Sequence, residues 1–213
     1  IMLPLPLFHV SAQGYTLGCL LGGGRVVVDA RFNPFSFWDT ARRHGAKSFN
    51  YVGAMIPMLY HRPPRPDDAD NPVRIAFGAP CPVEIWEGFE TRFGMKLVEV
   101  YGMTEAPMIT ENRLDNRKIG SAGRTSMTYE VQIVDENDEP CPPNVPGEIC
   151  ARPKMAGALF SGYYKRDDAT VEAWRNLWFH TGDRGRMDED GFVFFLDRMK
   201  DSIRRRGENI STW

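Results

Sequence analysis

Lys96-Leu97-Val98-Glu99-Val100 runs directly into Tyr101-Gly102-Met103-Thr104-Glu105. The first five residues read as a buried strand. A strand that ends in an aromatic ring, a glycine, a hydroxyl and a carboxylate puts polar groups where an α/β sheet opens its ligand crevice. The Tyr101 ring offers a flat face to a base, and Gly102 lets the backbone come close to a ligand. Thr104 can donate to a phosphate oxygen, and Glu105 can hold Mg²⁺, a hard cation that takes oxygen ligands. Alone, the same residues also read as a turn with a capped helix start. The surrounding chain decides between the two.

Upstream, short apolar runs alternate with amphipathic ones. Arg25-Val26-Val27-Val28-Asp29 follows three glycines and reads as a strand, and Asn33-Pro34 opens a helix through Phe37, Trp38 and Ala41 that Gly45 closes. Ser48–Val52 is the next strand, and Gly53 to His61 reads as a helix with Pro57 near its first turn. Val73-Arg74-Ile75-Ala76-Phe77 is a further strand, broken at Gly78-Ala79-Pro80. The helix after it carries Ile85, Phe89 and Phe93 on one face and ends at Gly94. Strand, helix and strand at this spacing predict a parallel crossover. The expected fold class is therefore α/β: a mostly parallel sheet with flanking helices.

The pattern changes after Gly120. Tyr129–Val134 and Gly147–Arg152 alternate with period two, and Asp190-Gly191 marks a hairpin between Gly185–Met187 and Phe192–Leu196. Only Asp167 to Arg175 reads as helix here. The expected domains are an α/β subdomain over 1–119, a small antiparallel β subdomain over 120–197, and a different segment over 198–213. That last segment holds five positive charges between Arg198 and Arg206.

Hydrophobic residues make up 42% and charged residues 25% of 213, enough to bury a core. A formal net charge of -2 argues against a general nucleic-acid binder, so Arg198–Arg206 is a weak candidate for such an arm. No apolar run approaches the ~20 residues of a membrane span. Cys19, Cys81, Cys141 and Cys150 lack metal-site or disulfide-frame spacing, which points to reduced thiols and a cytoplasmic location. His9, His44, His61 and His180 are equally scattered.

Two more segments carry candidate chemistry. In Thr181-Gly182-Asp183, an aspartate beyond a glycine turn can accept both hydroxyls of a ribose, or it can simply stabilise the loop as an Asx turn. Asp197-Arg198-Met199-Lys200-Asp201 is either a functional charged turn or a solvated one.

Taken in order, Pro6-Leu7-Phe8-His9, Gly78-Ala79-Pro80, Tyr101–Glu105, Gly147-Glu148-Ile149, Thr181-Gly182-Asp183 and Asp197–Asp201 through Gly207 resemble the adenylate-forming superfamily: acyl-CoA synthetases, adenylation domains of peptide synthetases, and luciferases. Around Phe160–Tyr164 and Arg205–Ser211 the wording is most similar to acyl-CoA ligases of the crotonobetaine/carnitine-CoA ligase type.

The resemblance implies ATP-dependent activation of a carboxylic acid to an acyl-adenylate with Mg²⁺, then thioester formation on coenzyme A. Small to medium aliphatic acids and a place in fatty acid metabolism follow from the resemblance alone. It implies that Tyr101 stacks on adenine and that Gly78, Ala79 and Pro80 line the adenine and acyl pocket together with Gly102 and Met103. Thr104 would contact the α-phosphate, Glu105 would ligate Mg²⁺, Asp183 would bind the ribose, and Arg198 would reach ribose or phosphate. His9 would stand at the acyl-pocket wall, with a satisfied core histidine as the alternative. Lys200 matches the hinge of a small C-terminal lid, and Gly207 a loop of that lid. The family's glycine-rich phosphate loop and its lid lysine are not among these residues, so the expectation is an internal piece without ligase activity by itself. A carrier-protein thiol as acceptor and a non-catalytic nucleotide-binding module stay open as alternatives. Oligomeric state is likewise open, a homodimer included.

Overall fold

The structure is a computed structural model that describes residues 1–199 apart from Ala30, and the backbone of Ser202–Arg205 and Glu208–Ser211. The chain divides into two compact units, Ile1–Glu99 and Val100–Trp213.

The first unit contains β1 (Met2–Leu3), α1 (Val10–Leu21), β2 (Val27–Val28), α2 (Phe37–His44), β3 (Ser48–Val52), α3 (Met55–Tyr60), β4 (Ile75–Ala79), α4 (Val83–Phe93) and most of β5 (Lys96–Tyr101). The strands lie in the order β2-β1-β3-β4-β5 and all pair in parallel. The predicted β4–α4–β5 crossover is thus present. On α4 the buried side chains are Trp86, Phe89, Glu90 and Phe93, a helical stripe one residue on from the expected face, with Ile85 at its half-buried edge. Glu90 is tolerated on this stripe because it accepts from Trp86 Nε1 at 3.1 Å and from the Leu97 amide at 2.9 Å. Trp38 of α2 stacks on Phe93 with ring centroids 4.5 Å apart, and Phe37 meets Phe49 of β3 edge-on.

The elements differ from expectation in several places; the expected helix over Asp167–Arg175, for example, ends at Ala173, and Trp174–Arg175 is a short strand. The second helix begins at Phe37, not at Asn33-Pro34, because the Asn33 carboxamide accepts from the Phe35 amide and holds the lead-in as an Asx turn. β4 runs through Gly78 and Ala79 instead of breaking there. A Cβ on Gly78 would sit 1.9 Å from the Tyr51 carbonyl oxygen, so glycine here lets two strands pair. α1 was not foreseen. Its buried residues reduce to Ala12, it contains Gly14 and Gly18, and Leu17, Leu20 and Leu21 are exposed, so no apolar stripe marks it.

Gly94 closes α4 in the left-handed region at φ 64°, and the nearest atom to an added Cβ is 3.9 Å away. Gly94→Ala therefore tests backbone conformation without a clash. It should destabilise the protein by about 1 kcal/mol, read as a lowered urea midpoint with unchanged slope.

The second unit takes the last two residues of β5, then β6 (Thr110–Glu111), β7 (Gly123–Thr125), β8 (Tyr129–Val134), β9 (Gly147–Pro153), α5 (Asp167–Ala173), β10 (Trp174–Arg175), β11 (Trp178–Met187) and β12 (Phe192–Arg198), followed by the hairpin β13 (Ser202–Arg205) and β14 (Glu208–Ser211). Its strands pair antiparallel in the order β5-β6-β7-β12-β11-β9-β8, with β10 beside β11. The predicted strands β8 and β9 and the hairpin at Asp190-Gly191 are found in place, with Gly191 at φ 80°, but β9 buries four residues in succession, Glu148 to Ala151, where alternation is expected. Ala106, Ile109, Tyr129, Ala151 and Phe179 form one buried cluster of this unit. Among the described residues no helix is long and apolar enough to cross a membrane.

Candidate functional site

Thr181-Gly182-Asp183 interrupts a long strand. On β11, His180 pairs with Cys150 of β9 and Arg184 pairs with Glu148, so three residues stand opposite Ile149 alone. The segment bulges out of the ladder. Gly182 adopts φ 70°, which a side chain resists. The Thr181 hydroxyl donates to the Ile149 carbonyl at 2.7 Å and accepts from the Asp183 amide at 3.1 Å. The bulge turns Asp183 inward, where it is 3% exposed.

The buried carboxylate meets two partners from distant parts of the unit. The Tyr101 hydroxyl, at the end of β5, donates to Asp183 Oδ2 at 2.8 Å. Arg198 stands directly opposite Asp183 on β12, and its Nε lies 2.8 Å from Oδ1. Burial, and then the Asp183 charge, push the Tyr101 hydroxyl well above its ordinary range, so it remains a donor. The Tyr101 ring lies 6.1 Å from that of Phe195. Tyr101, Asp183 and Arg198 are thereby brought together, one aromatic face, one anion and one half-exposed cation.

Beyond Tyr101 the chain turns sharply. The space a Gly102 side chain would fill is taken by backbone of Ala106 to Met108, the nearest atom 2.5 Å away, so this glycine admits a close approach by its own chain. Met103 donates its amide to the Ala106 carbonyl at 3.1 Å and is half-buried, while Thr104 is exposed. Glu105 is held twice. Its carbonyl accepts from the Phe160 amide at 2.9 Å, and its Oε1 accepts from the Tyr163 hydroxyl at 2.8 Å. Burial, then the bond to Glu105, push the Tyr163 hydroxyl up to about 12. Tyr163 was not among the residues expected at the site.

In the first unit, His9 is half-buried just before α1, and its Nδ1 lies 2.9 Å from the Ser11 hydroxyl. Gly78 and Ala79 end β4, and Pro80 follows through a cis peptide bond. Lys200 and Gly207 lie outside the described residues.

A further buried group was missed. Glu148 Oε1 accepts from the Gly182 amide at 2.9 Å, while Oε2 is 2.8 Å from His180 Nδ1 and 3.5 Å from Arg175 Nη2. Arg175 also bonds Asp138, whose carboxyl it holds below the usual range. Glu148, Cys150 and His180 present ligand-type atoms within 4.8 Å of one another. The Arg175 guanidinium, 2.9 Å from His180 Nδ1, already supplies a positive charge there. Burial, then Glu148, push the Cys150 thiol well up, so it is a neutral thiol in this setting. Only the Gly-Glu pair at 147–148 and the histidine before Thr181 mark this cluster in the sequence. Nothing local tells that they meet.

Residues 1–164 match the family model described as AMP-binding enzyme. Over 212 residues the chain is 34% identical to the crotonobetaine/carnitine–CoA ligase of Salmonella arizonae, covering 97% of this chain and 41% of that protein. The chain thus spans about two-fifths of the length of this relative. Among solved structures, O-succinylbenzoate coenzyme A synthetase from Bacillus subtilis, in complex with ATP and magnesium ion, is 29% identical with a TM-score of 0.78, covering 98% of this chain and 44% of that one. The amide bond synthetase of Marinactinospora thermotolerans is 25% identical with a TM-score of 0.86, covering 99% and 43%.

Proposed function

Because the chain belongs to the AMP-binding enzyme family, we propose that it carries part of the nucleotide site of an AMP-forming carboxylate–CoA ligase. The observation that supports this reading is the convergence of Tyr101, Asp183 and Arg198. Asp183 is buried, fixed by two donors and seated on a glycine bulge, which suits acceptance of ribose hydroxyls. Arg198, 39% exposed at its side chain, keeps donors for a phosphate or the ribose. The Tyr101 ring offers its face to adenine. Met103 and Gly102 shape the adjoining turn, and Thr104, exposed beside them, donates to the α-phosphate.

The residues present fit Mg²⁺: Glu105 offers carboxylate oxygens, Oε1 being engaged by Tyr163, and the neighbouring Thr104 is another hard oxygen donor. Bound at Glu105, the ion would screen phosphate charge during adenylation. In the first step the acid's carboxylate oxygen attacks the α-phosphorus, and pyrophosphate leaves. In the second the coenzyme A thiol attacks the acyl carbon, and AMP leaves. The chain's own contribution is to hold the nucleotide so that these groups meet in line. The roles of His9 and of Gly78-Ala79-Pro80 rest on the resemblance, as does that of Lys200 as a hinge. We further propose the segment from residue 198 onward as the start of a lid. The whole activity belongs to the intact protein.

The test is pyrophosphate release by the intact protein with ATP, Mg²⁺ and a panel of carboxylic acids, followed by addition of coenzyme A or of a pantetheinylated carrier protein. Acid-dependent release with coenzyme A-dependent AMP formation is expected. AMP formation stimulated only by the carrier protein would move the assignment to a carrier-loading domain. No acid-dependent release from any panel member would leave a binding module. Glu105→Gln should raise the Mg²⁺ concentration for half-maximal pyrophosphate release about tenfold, measured by magnesium titration at saturating ATP.

A further inference from the structure

We propose that Glu148 is a positioning residue that fastens the Thr181-Gly182-Asp183 bulge and so aims the Asp183 carboxylate. This inference rests on the nucleotide reading above. A bulge strips ladder partners from the residues it contains. Here the Ile149 carbonyl, the natural acceptor from the strand opposite, is taken by the Thr181 hydroxyl at 2.7 Å. The Gly182 amide is instead received by Glu148 Oε1 at 2.9 Å. Glu148 is 9% exposed and sits on β9, a strand paired on both sides, so its carboxylate is a fixed anchor.

The other oxygen of the same carboxylate explains why an acid stands there. Oε2 faces His180 Nδ1 at 2.8 Å and Arg175 Nη2 at 3.5 Å, and Arg175 is tied in turn to Asp138 at 3.2 Å. One carboxylate therefore links a charged network to the amide next to the residue whose direction matters. With both of its oxygens engaged, the buried Glu148 carboxylate is held in a single geometry. Without the carboxylate, the Gly182 amide loses its acceptor and glycine's conformational freedom passes to Asp183. Arg175 and His180, which already lie 2.9 Å apart, lose the Glu148 charge beside them.

A structural role alone would lower stability, whereas a positioning role changes what the site distinguishes. The measurement is calorimetric binding of AMP and of 2′,3′-dideoxy-AMP to the intact protein, in the wild type and in the Asp183→Ala, Glu148→Ala, Glu148→Asp and Glu148→Gln variants. The wild type should prefer AMP, and Asp183→Ala should erase that preference. Glu148→Ala should reduce it at least about tenfold by weakening AMP while leaving the dideoxy analogue within about threefold. Glu148→Asp keeps the charge but withdraws the oxygen by one methylene, and should lose part of the preference even if the alanine variant does not fold. Glu148→Gln retains an oxygen for the Gly182 amide and should recover most of it. Unchanged preference in Glu148→Ala and Glu148→Asp, or equal weakening of both ligands, would overturn the positioning role alone. If the wild type shows no preference, or Asp183→Ala keeps it, the ribose assignment falls and the inference with it.

Discussion

Replacing Asp183 by alanine is expected to weaken AMP binding about 100-fold, the largest single effect on the site. Two charge-assisted bonds to a ribose would be lost together, each of the stronger kind because one partner is ionised. The protein side suffers as well. Tyr101 would lose the acceptor for a hydroxyl at the closed end of its ring, and Arg198 the anion that holds its guanidinium over the site. Arg198 is partly in water and can be resolvated, so the fold should survive. Asp183→Asn separates shape from charge. It keeps the volume and one acceptor oxygen, and should fall between wild type and alanine. Isothermal titration with AMP decides it, and a loss below threefold for alanine would remove Asp183 from the nucleotide site.

The second large effect concerns stability in the first unit. Glu99 is buried on β5 and accepts from the Cys81 amide. Burial raises its carboxyl from the ordinary 4.5 to about 7, with the Cys81 amide pulling the other way. The folded chain thus holds this proton more tightly than the unfolded one. Below pH 4.5 both forms are protonated and nothing is lost. Between pH 4.5 and 7 the unfolded form ionises first, so stability falls as pH rises, and above 7 the loss is complete. It amounts to roughly 3 kcal/mol. Glu99→Gln keeps an oxygen for Cys81 and cannot ionise. It should therefore exceed the wild type by roughly 5–10 °C in melting temperature at pH 8 and approach it at pH 4.5. Thermal unfolding followed by circular dichroism across this range checks the slope as well as the sign. A difference independent of pH would refute the account.

Much of the fold is legible from periodicity. α4, with Gly94 as its stop, stands out because one helical stripe of it is buried, and β8 and β9 stand out because each is a run of six or seven residues. α1 and the two-residue strands β1, β6 and β10 do not, since a helix with one buried residue and a strand of two residues leave no period to read. At the site, Tyr101, Asp183 and Arg198 carry recognisable residue types in recognisable company. Their partners do not. Glu148 meets Gly182, and Tyr163 meets Glu105, through pairings 34 and 58 residues apart in the chain. Such meetings depend on strand register and loop path, which local pattern does not encode.

The number of residues in the β11 bulge has a topological consequence. Side chains alternate sides along an extended strand with period two. Three residues facing one means two in excess, an even surplus, and an even surplus restores the original phase. Phe179 before the excursion and Gly185 after it therefore keep the sides they would have held in an uninterrupted ribbon. Had the excursion held one residue fewer or one more, everything downstream to Met187 would have been turned inside out. An acidic side chain could thus be lifted out of the middle of a ten-residue strand while both flanks kept their inward and outward assignments.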